Sequence, residues 1–253
     1  MGRLEGKTAL ITGAAGGMGQ VACRRFCEEG ARVVGVDVAE EAGRALEGEL
    51  AAGGHDFAFV RCDVTSGEAL AGLAARVRER FGTLDVLYNN AGTILGKPLT
   101  ETTDEEWERV LAINLKGPFA TMRALVPLMG TGGSIVNVSS GLGLVAEPLM
   151  SAYCASKGGL VLLSKAAALE LGPAIRVNVL CPGVIDTPMP RGVVASLDAD
   201  AGRELLAAWE RGHVVGRLGR PEEVVAAAVF LASDEASFVT GAAIPVDSGI
   251  TAR

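Results

Sequence analysis

The stretch Thr8-Ala9-Leu10-Ile11-Thr12, running into Gly13-Ala14-Ala15-Gly16-Gly17-Met18-Gly19, decides the fold. Its first five residues read as a buried strand, and a helical pattern follows from about 17 to 29. Glycines at a strand-to-helix turn let the backbone approach a pyrophosphate, whose charge suits a helix N-terminus. The spacing is Gly13-x-x-x-Gly17-x-Gly19 rather than G-x-G-x-x-G. Further out, the second strand ends at Asp37, 18 residues after Gly19. A carboxylate there reads either as a solvated strand end or as the acceptor for two adenosine ribose hydroxyls, and it repels a 2′-phosphate.

The same alternation continues to the C-terminus. Strands are predicted at Thr8 to Thr12, Arg32 to Asp37, Asp56 to Cys62, Leu84 to Tyr88, Ser134 to Ser139, Arg176 to Cys181 and Ala243 to Val246. Helical patterns lie at about 17 to 29, 40 to 52, 67 to 81, 104 to 129, 152 to 171 and 221 to 232. Unbroken apolar runs suit strands covered on both faces, so the expectation is an α/β fold: a single-domain, Rossmann-like, doubly wound sheet of about seven parallel strands with helices on both faces, spanning 1–253. The segment at about 183–218 breaks the rhythm, carrying Pro188 and Pro190 and then a helix around Ala199 to Arg211. It follows the carboxyl end of a strand, where open α/β sheets bind ligands, and reads as a substrate lid.

Composition excludes several classes. A chain of 253 residues with a net charge of −7 has no basic footprint for nucleic acid, and 49% hydrophobic residues exclude a mainly disordered chain. Five Cys (Cys23, Cys27, Cys62, Cys154, Cys181), odd in number and without a C-x-x-C pair, read as reduced and mostly buried. Two His, His55 and His213, leave no multi-His metal centre and disfavour a Ser-His-Asp triad; no metal is expected. No apolar run approaches the roughly 18 residues a membrane span requires, and the N-terminal residues lack an apolar signal region, so the expected location is cytoplasmic.

Acid–base chemistry must then come from elsewhere. Tyr153 and Lys157 stand four apart at the start of a helical pattern, on one face, where an ammonium can favour the phenolate of its neighbour. Ser139-Ser140 ends the fifth strand and Asn89-Asn90-Ala91-Gly92 follows the fourth. One of the two serine hydroxyls therefore belongs at the same sheet edge as the glycine turn and the Tyr–Lys pair.

These residues resemble the classical short-chain dehydrogenases/reductases over essentially the whole chain, from Lys7 to Gly249. The family's T-G-x-x-x-G-x-G matches Thr12, Gly13, Gly17 and Gly19, its N-N-A-G matches Asn89 to Gly92, and its P-G matches Pro182-Gly183 with Thr187 after it. Its catalytic Ser lies 13 residues before the Tyr, which selects Ser140, and its helical Asn matches Asn114. The resemblance implies a catalytic tetrad of Asn114, Ser140, Tyr153 and Lys157, with Tyr153 as acid or base, Ser140 holding the substrate oxygen and Asn114 positioning a water next to Lys157. It implies cofactor contacts at Gly13, Gly17, Met18, Gly19, Asp37, Asp63, Val64, Asn90, Ala91, Gly92, Tyr153, Lys157, Pro182, Gly183, Ile185 and Thr187. Members that use NADP tend to carry a basic residue where this chain has Gly16 or Val38, so with Asp37 the implied cofactor is NAD. Ser248 departs from the family's V-D-G-G, leaving the local turn geometry open.

The substrate side is expected to involve Ser140, Tyr153, Leu142 and Met189, in a largely apolar pocket for a small secondary alcohol or ketone, including cyclic ones. Glu147 and His213 are read as surface side chains and Trp209 as a packing residue. The second apolar face of the helix at 152 to 171 suggests a homotetramer, with a dimer as the next choice. The alternatives are an NADP-dependent 3-oxoacyl-type ketoreductase and, from a different class, a non-catalytic NAD-binding sensor.

Overall fold

A computed structural model describes residues 2–252. Seven parallel strands form one sheet in the order β3-β2-β1-β4-β5-β6-β7: β1 (Thr8–Thr12), β2 (Arg32–Asp37), β3 (Phe57–Arg61), β4 (Leu84–Asn89), β5 (Met129–Val138), β6 (Ile175–Pro182) and β7 (Ala243–Val246). Side chains alternate between the two faces, as the period of a strand demands. Ala9, Ile11, Val33, Phe57, Tyr88 and Val136 bury on one side, against α1 (Gly17–Glu28), α2 (Glu40–Ala52) and α9 (Pro221–Ala232). Leu10, Val34, Leu87, Ile135 and Val177 bury on the other, against α3 (Gly67–Phe81), α5 (Gly117–Leu125) and α6 (Ser151–Leu171). Each such aliphatic or aromatic side chain contributes roughly 1.5–3 kcal/mol relative to exposure, so the two layers hold the sheet without cross-links. The five cysteines are unbridged, four of them buried and Cys154 half-buried.

The expected doubly wound sheet is present, but three elements differ from the sequence reading. The helix predicted across 104 to 129 is broken: α4 (Asp104–Leu111), opened by a Thr103–Glu106 capping box, passes through a π-helical turn at Ala112–Lys116 into α5. Pro118, in the first turn of α5, has no N–H to return to the preceding turn, and the Gly117 N–H bonds the Ala112 carbonyl five residues back. Strand β5 starts at Met129, not Ser134, because its first half is Met129-Gly-Thr-Gly-Gly, which carries no strand signature. The lid holds a second helix, α7 (Pro188–Ala195), before α8 (Ala199–Gly212). Two prolines that look like breakers fall inside the first turn of α7, where missing N–H groups cost nothing.

Strand β1 lies between β2 and β4, so the chain winds away from it in both directions. The carboxyl ends of β1 and β4 therefore border the crevice that such a reversal leaves open.

Candidate active site

The glycine turn closes tightly on the end of β4. Gly13 has φ +67°, and a Cβ there would lie 2.8 Å from Ala91 Cα. Thr12 Oγ1 accepts from the backbone N–H of both Asn90 and Ala91, each at 3.1 Å. The Asn90 side-chain amide in turn donates to the Thr12 and Gly13 carbonyls at 3.1 and 3.3 Å. Its Oδ1 is buried with no partner, an acceptor left open beside the turn. Helix α1 begins at Gly17, and no side chain caps its first N–H groups, which leaves donors facing the crevice. A Cβ at Gly17 would lie 2.7 Å from Pro188 Cδ and 3.0 Å from Thr187 Cβ, so the root of the lid rests on the turn itself.

At the far end of the crevice Asp37 accepts from the Ala15 N–H and the Ala39 N–H, both at 3.0 Å. Asp63 accepts from the Thr65 N–H and hydroxyl, and Val64 is buried next to it. An uncapped helix start, an unpartnered amide oxygen and a strand-end carboxylate within one cavity fit the phosphates, carboxamide-bearing end and ribose of a dinucleotide.

The remaining polar residues meet where β5, α6 and the π-helical turn converge. Ser139 and Ser140 both line the cavity; Ser139 is buried and donates to the Lys157 carbonyl at 2.8 Å, whereas Ser140 accepts from the Leu142 N–H at 3.1 Å and keeps its hydroxyl beside Tyr153. Lys157 Nζ donates to the Val138 carbonyl at 2.9 Å and lies 5.7 Å from the centre of the Tyr153 ring. Burial pulls the Lys157 pKa down to about 8 and pushes the Tyr153 phenol up, the Ser140 hydrogen bond working against the latter. Asn114 is fully buried in the π-helical turn. It bonds both backbone groups of Thr93, at 2.8 and 2.9 Å, and donates to Ser156 Oγ at 3.1 Å. A Cβ at Gly92 would stand 3.4 Å from both Asn114 Oδ1 and Lys157 Nζ, so that glycine keeps a small polar space open between them. The sequence reading missed Thr93 and Ser156, whose roles are hydrogen bonds across 21 and 42 residues of chain with no local signature.

One cavity of about 1220 Å³ runs along all of this, from Asp37 and Val38 to the lid. Met18, Gly19, Gly92, Pro182, Gly183, Ile185, Thr187, Leu142 and Met189 all line it, as do Ile94, Val193, Trp209 and Ile250, which the sequence reading did not assign to the site. Two expectations change. His213 is not a surface side chain but is 3% exposed at the end of α8, where its Nε2 accepts the Val184 N–H at 3.2 Å and its Nδ1 faces the Trp209 carbonyl at 2.7 Å. The reason is polar: the half-buried Val184 N–H takes the imidazole at the end of α8 as its acceptor. Ser248 adopts φ 52°, the conformation a glycine would take, and its hydroxyl and carbonyl bind the Val215 and Val214 N–H groups at 2.9 and 3.0 Å. The turn therefore survives the replacement and anchors the end of the lid.

Comparison with known proteins gives a consistent picture. The family described as enoyl-(acyl carrier protein) reductase matches residues 13–251. The chain is 42% identical to a cyclopentanol dehydrogenase of Comamonas testosteroni over the full length of both chains. It is 44% identical to a cis-4-hydroxycyclohexanecarboxylate dehydrogenase of Sinomonas cyclohexanicum, covering 97% of each. The solved structure of ligand-free aldohexose dehydrogenase from Thermoplasma acidophilum superposes with a TM-score of 0.89 at 31% identity, covering 99% of this chain and 96% of that one. Among the described residues no helix is long and apolar enough to cross a membrane.

Proposed function

Because this chain belongs to the short-chain dehydrogenase/reductase family, whose members work with a nicotinamide dinucleotide on CH–OH groups, we propose that it is an NAD-dependent dehydrogenase of small apolar or cyclic secondary alcohols. The observation that carries the reading is the convergence of Ser140, Tyr153, Lys157 and Asn114 on one cavity wall, adjoining the glycine turn.

When bound, NAD would supply a hydride acceptor for the carbinol carbon in oxidation and, in its reduced form, a hydride donor in the opposite direction. Gly13, Gly17, Met18 and Gly19 would hold its pyrophosphate, Asp37 its adenosine ribose, and Asp63 and Val64 its adenine. Asn90, Ala91 and Gly92 with Pro182, Gly183, Ile185 and Thr187 line its nicotinamide half. The Ser140 hydroxyl holds the substrate oxygen. Tyr153, as the phenolate that the neighbouring Lys157 ammonium favours, takes the hydroxyl proton and becomes the neutral phenol. Asn114 and Lys157 flank the space over Gly92, which accommodates a water for returning that proton to solvent. Asp37 argues against an NADP-dependent 3-oxoacyl reductase, and a cofactor sensor has no use for the buried Lys157. The unbridged cysteines suit a reducing cytoplasm.

The test is a panel of secondary alcohols and ketones assayed with NAD and NADP in parallel, on the wild type and Tyr153→Phe. NAD-dependent turnover should fall by about 10²–10⁴ in the variant while NAD binding survives. Unchanged turnover removes Tyr153 from the chemistry.

A further inference from the structure

We propose that the substrate end of this cavity selects uncharged ring alcohols against carboxylated ones, with Glu147 as the selecting charge; the inference rests on the dehydrogenase reading above. The walls there are apolar, formed by Ile94, Leu142, Met150, Val193, Trp209 and Ile250. Five charged or proton-transferring side chains line the cavity: Asp37 and Asp63 at the adenosine end, Tyr153 and Lys157 at the reacting centre, and Glu147 alone among the apolar walls. Lys157 is committed to the Val138 carbonyl beneath Tyr153.

The cations flanking these walls, Lys97 and Arg191, are engaged elsewhere. Lys97 is tied by its backbone N–H to the Leu149 carbonyl at 2.7 Å, yet its ammonium turns to the Glu106 carboxylate at 3.0 and 2.9 Å. Arg191 of α7 is paired with Asp186 at 2.6 and 2.8 Å. Neither lines the cavity. Glu147 itself has no ion pair or side-chain hydrogen bond among the described residues. Its loop is held in shape by the Lys97–Leu149 bond, by the Met150 N–H on the Glu147 carbonyl at 3.3 Å, and by Leu149 at φ 68°, a conformation bulky side chains rarely take. A ring bearing a carboxylate would meet low-dielectric walls, no counter-charge and one like charge, whereas a neutral ring meets matching walls alone.

The experiment compares kcat/KM with NAD for cyclohexanol, trans-4-hydroxycyclohexanecarboxylate and trans-4-aminocyclohexanol, in the wild type and in Glu147→Gln. Glu147 is exposed, so the replacement strands no buried group. The wild type should prefer cyclohexanol to the carboxylate by at least about tenfold. Glu147→Gln should raise the carboxylate-to-cyclohexanol ratio roughly fivefold and lower the amine-to-cyclohexanol ratio by a similar factor. Equal use of cyclohexanol and the carboxylate, or ratios that do not move in the variant, overturns the proposal. Failure of every alcohol with either cofactor overturns the dehydrogenase reading instead. Charge selection is then read by binding, from the fluorescence of Trp209, the only Trp left in a Trp107→Phe background. Cyclohexanol should bind at least about tenfold tighter than cyclohexanecarboxylate, and equal or absent binding overturns the proposal.

Discussion

Lys157 carries its ammonium into a site almost closed to water, and burial lowers its pKa from 10.5 to about 8. Below about pH 8 the folded chain bears a charge that is cheaper in the unfolded one, and above about 10.5 neither state is charged and the penalty is gone. Lys157→Met should therefore raise stability at pH 7 by up to roughly 3 kcal/mol, less about 1 kcal/mol for the orphaned Val138 carbonyl, while abolishing turnover. Denaturant unfolding at pH 7 and pH 10.5 checks it, the gain shrinking at the higher pH; a loss at pH 7 would mean the hydrogen bond outweighs the desolvation. Asp37 is the second residue whose charge decides something. Its oxygens satisfy the Ala15 and Ala39 N–H groups, so a variant must keep an acceptor. Asp37→Ser combined with Val38→Arg should shift the NADP-to-NAD ratio of kcat/KM upward by about 10² or more, removing a repulsion and adding a phosphate partner. The positions of Asp37, Tyr153 and Lys157 are legible in the sequence because strand ends and the i, i+4 face of a helix are local geometry. The burial of Lys157, which sets its energetics, is not.

The elements that the sequence misrepresents are the ones whose local signals conflict. Residues 104 to 129 have an almost continuous helical pattern, yet the chain inserts a π-helical turn where Asn114 must reach Thr93 and Ser156. Such turns concentrate at functional sites, since the extra residue redirects a side chain. The lid is the other case. Its end is fixed by a histidine that bridges α8 to the segment after Gly183, two stretches 29 residues apart. His213→Ala removes the acceptor of the half-buried Val184 N–H and leaves a cavity above Gly183. The expected cost is about 1–3 kcal/mol, with faster tryptic cleavage at Arg191, Arg203 and Arg211. The KM for NAD should rise severalfold with a smaller change in kcat, because the lid root touches the glycine turn through Thr187 and Pro188. Steady-state kinetics that leave KM unmoved would mean the lid holds its place without this bond.

Over the whole molecule, apolar side chains gather on the outer surface of α4, α5 and α6. Leu162 and Leu169 are 68% and 86% exposed one above the other on α6, and Phe119 and Trp107 stand 45% and 38% exposed along the groove beside it. A contiguous apolar face of this kind is costly to leave in water and suits contact with a second copy. The expected assembly is a homotetramer, and sedimentation velocity should show Phe119→Glu with Leu162→Glu dissociating it; a monomeric wild type would dispose of the idea. The doubly wound sheet, and the edge on which its polar motifs collect, were readable in the amino-acid order, because strand period, glycine turns and helix faces are properties of neighbouring residues. The folded chain was needed to show that His213 is a buried strut, that the Ser139 hydroxyl is spent on the Lys157 carbonyl, and that Glu147 is the single charge among the apolar walls. Those outcomes depend on which side chains from distant stretches compete for the same space and the same hydrogen-bond partners, and no local pattern records that competition.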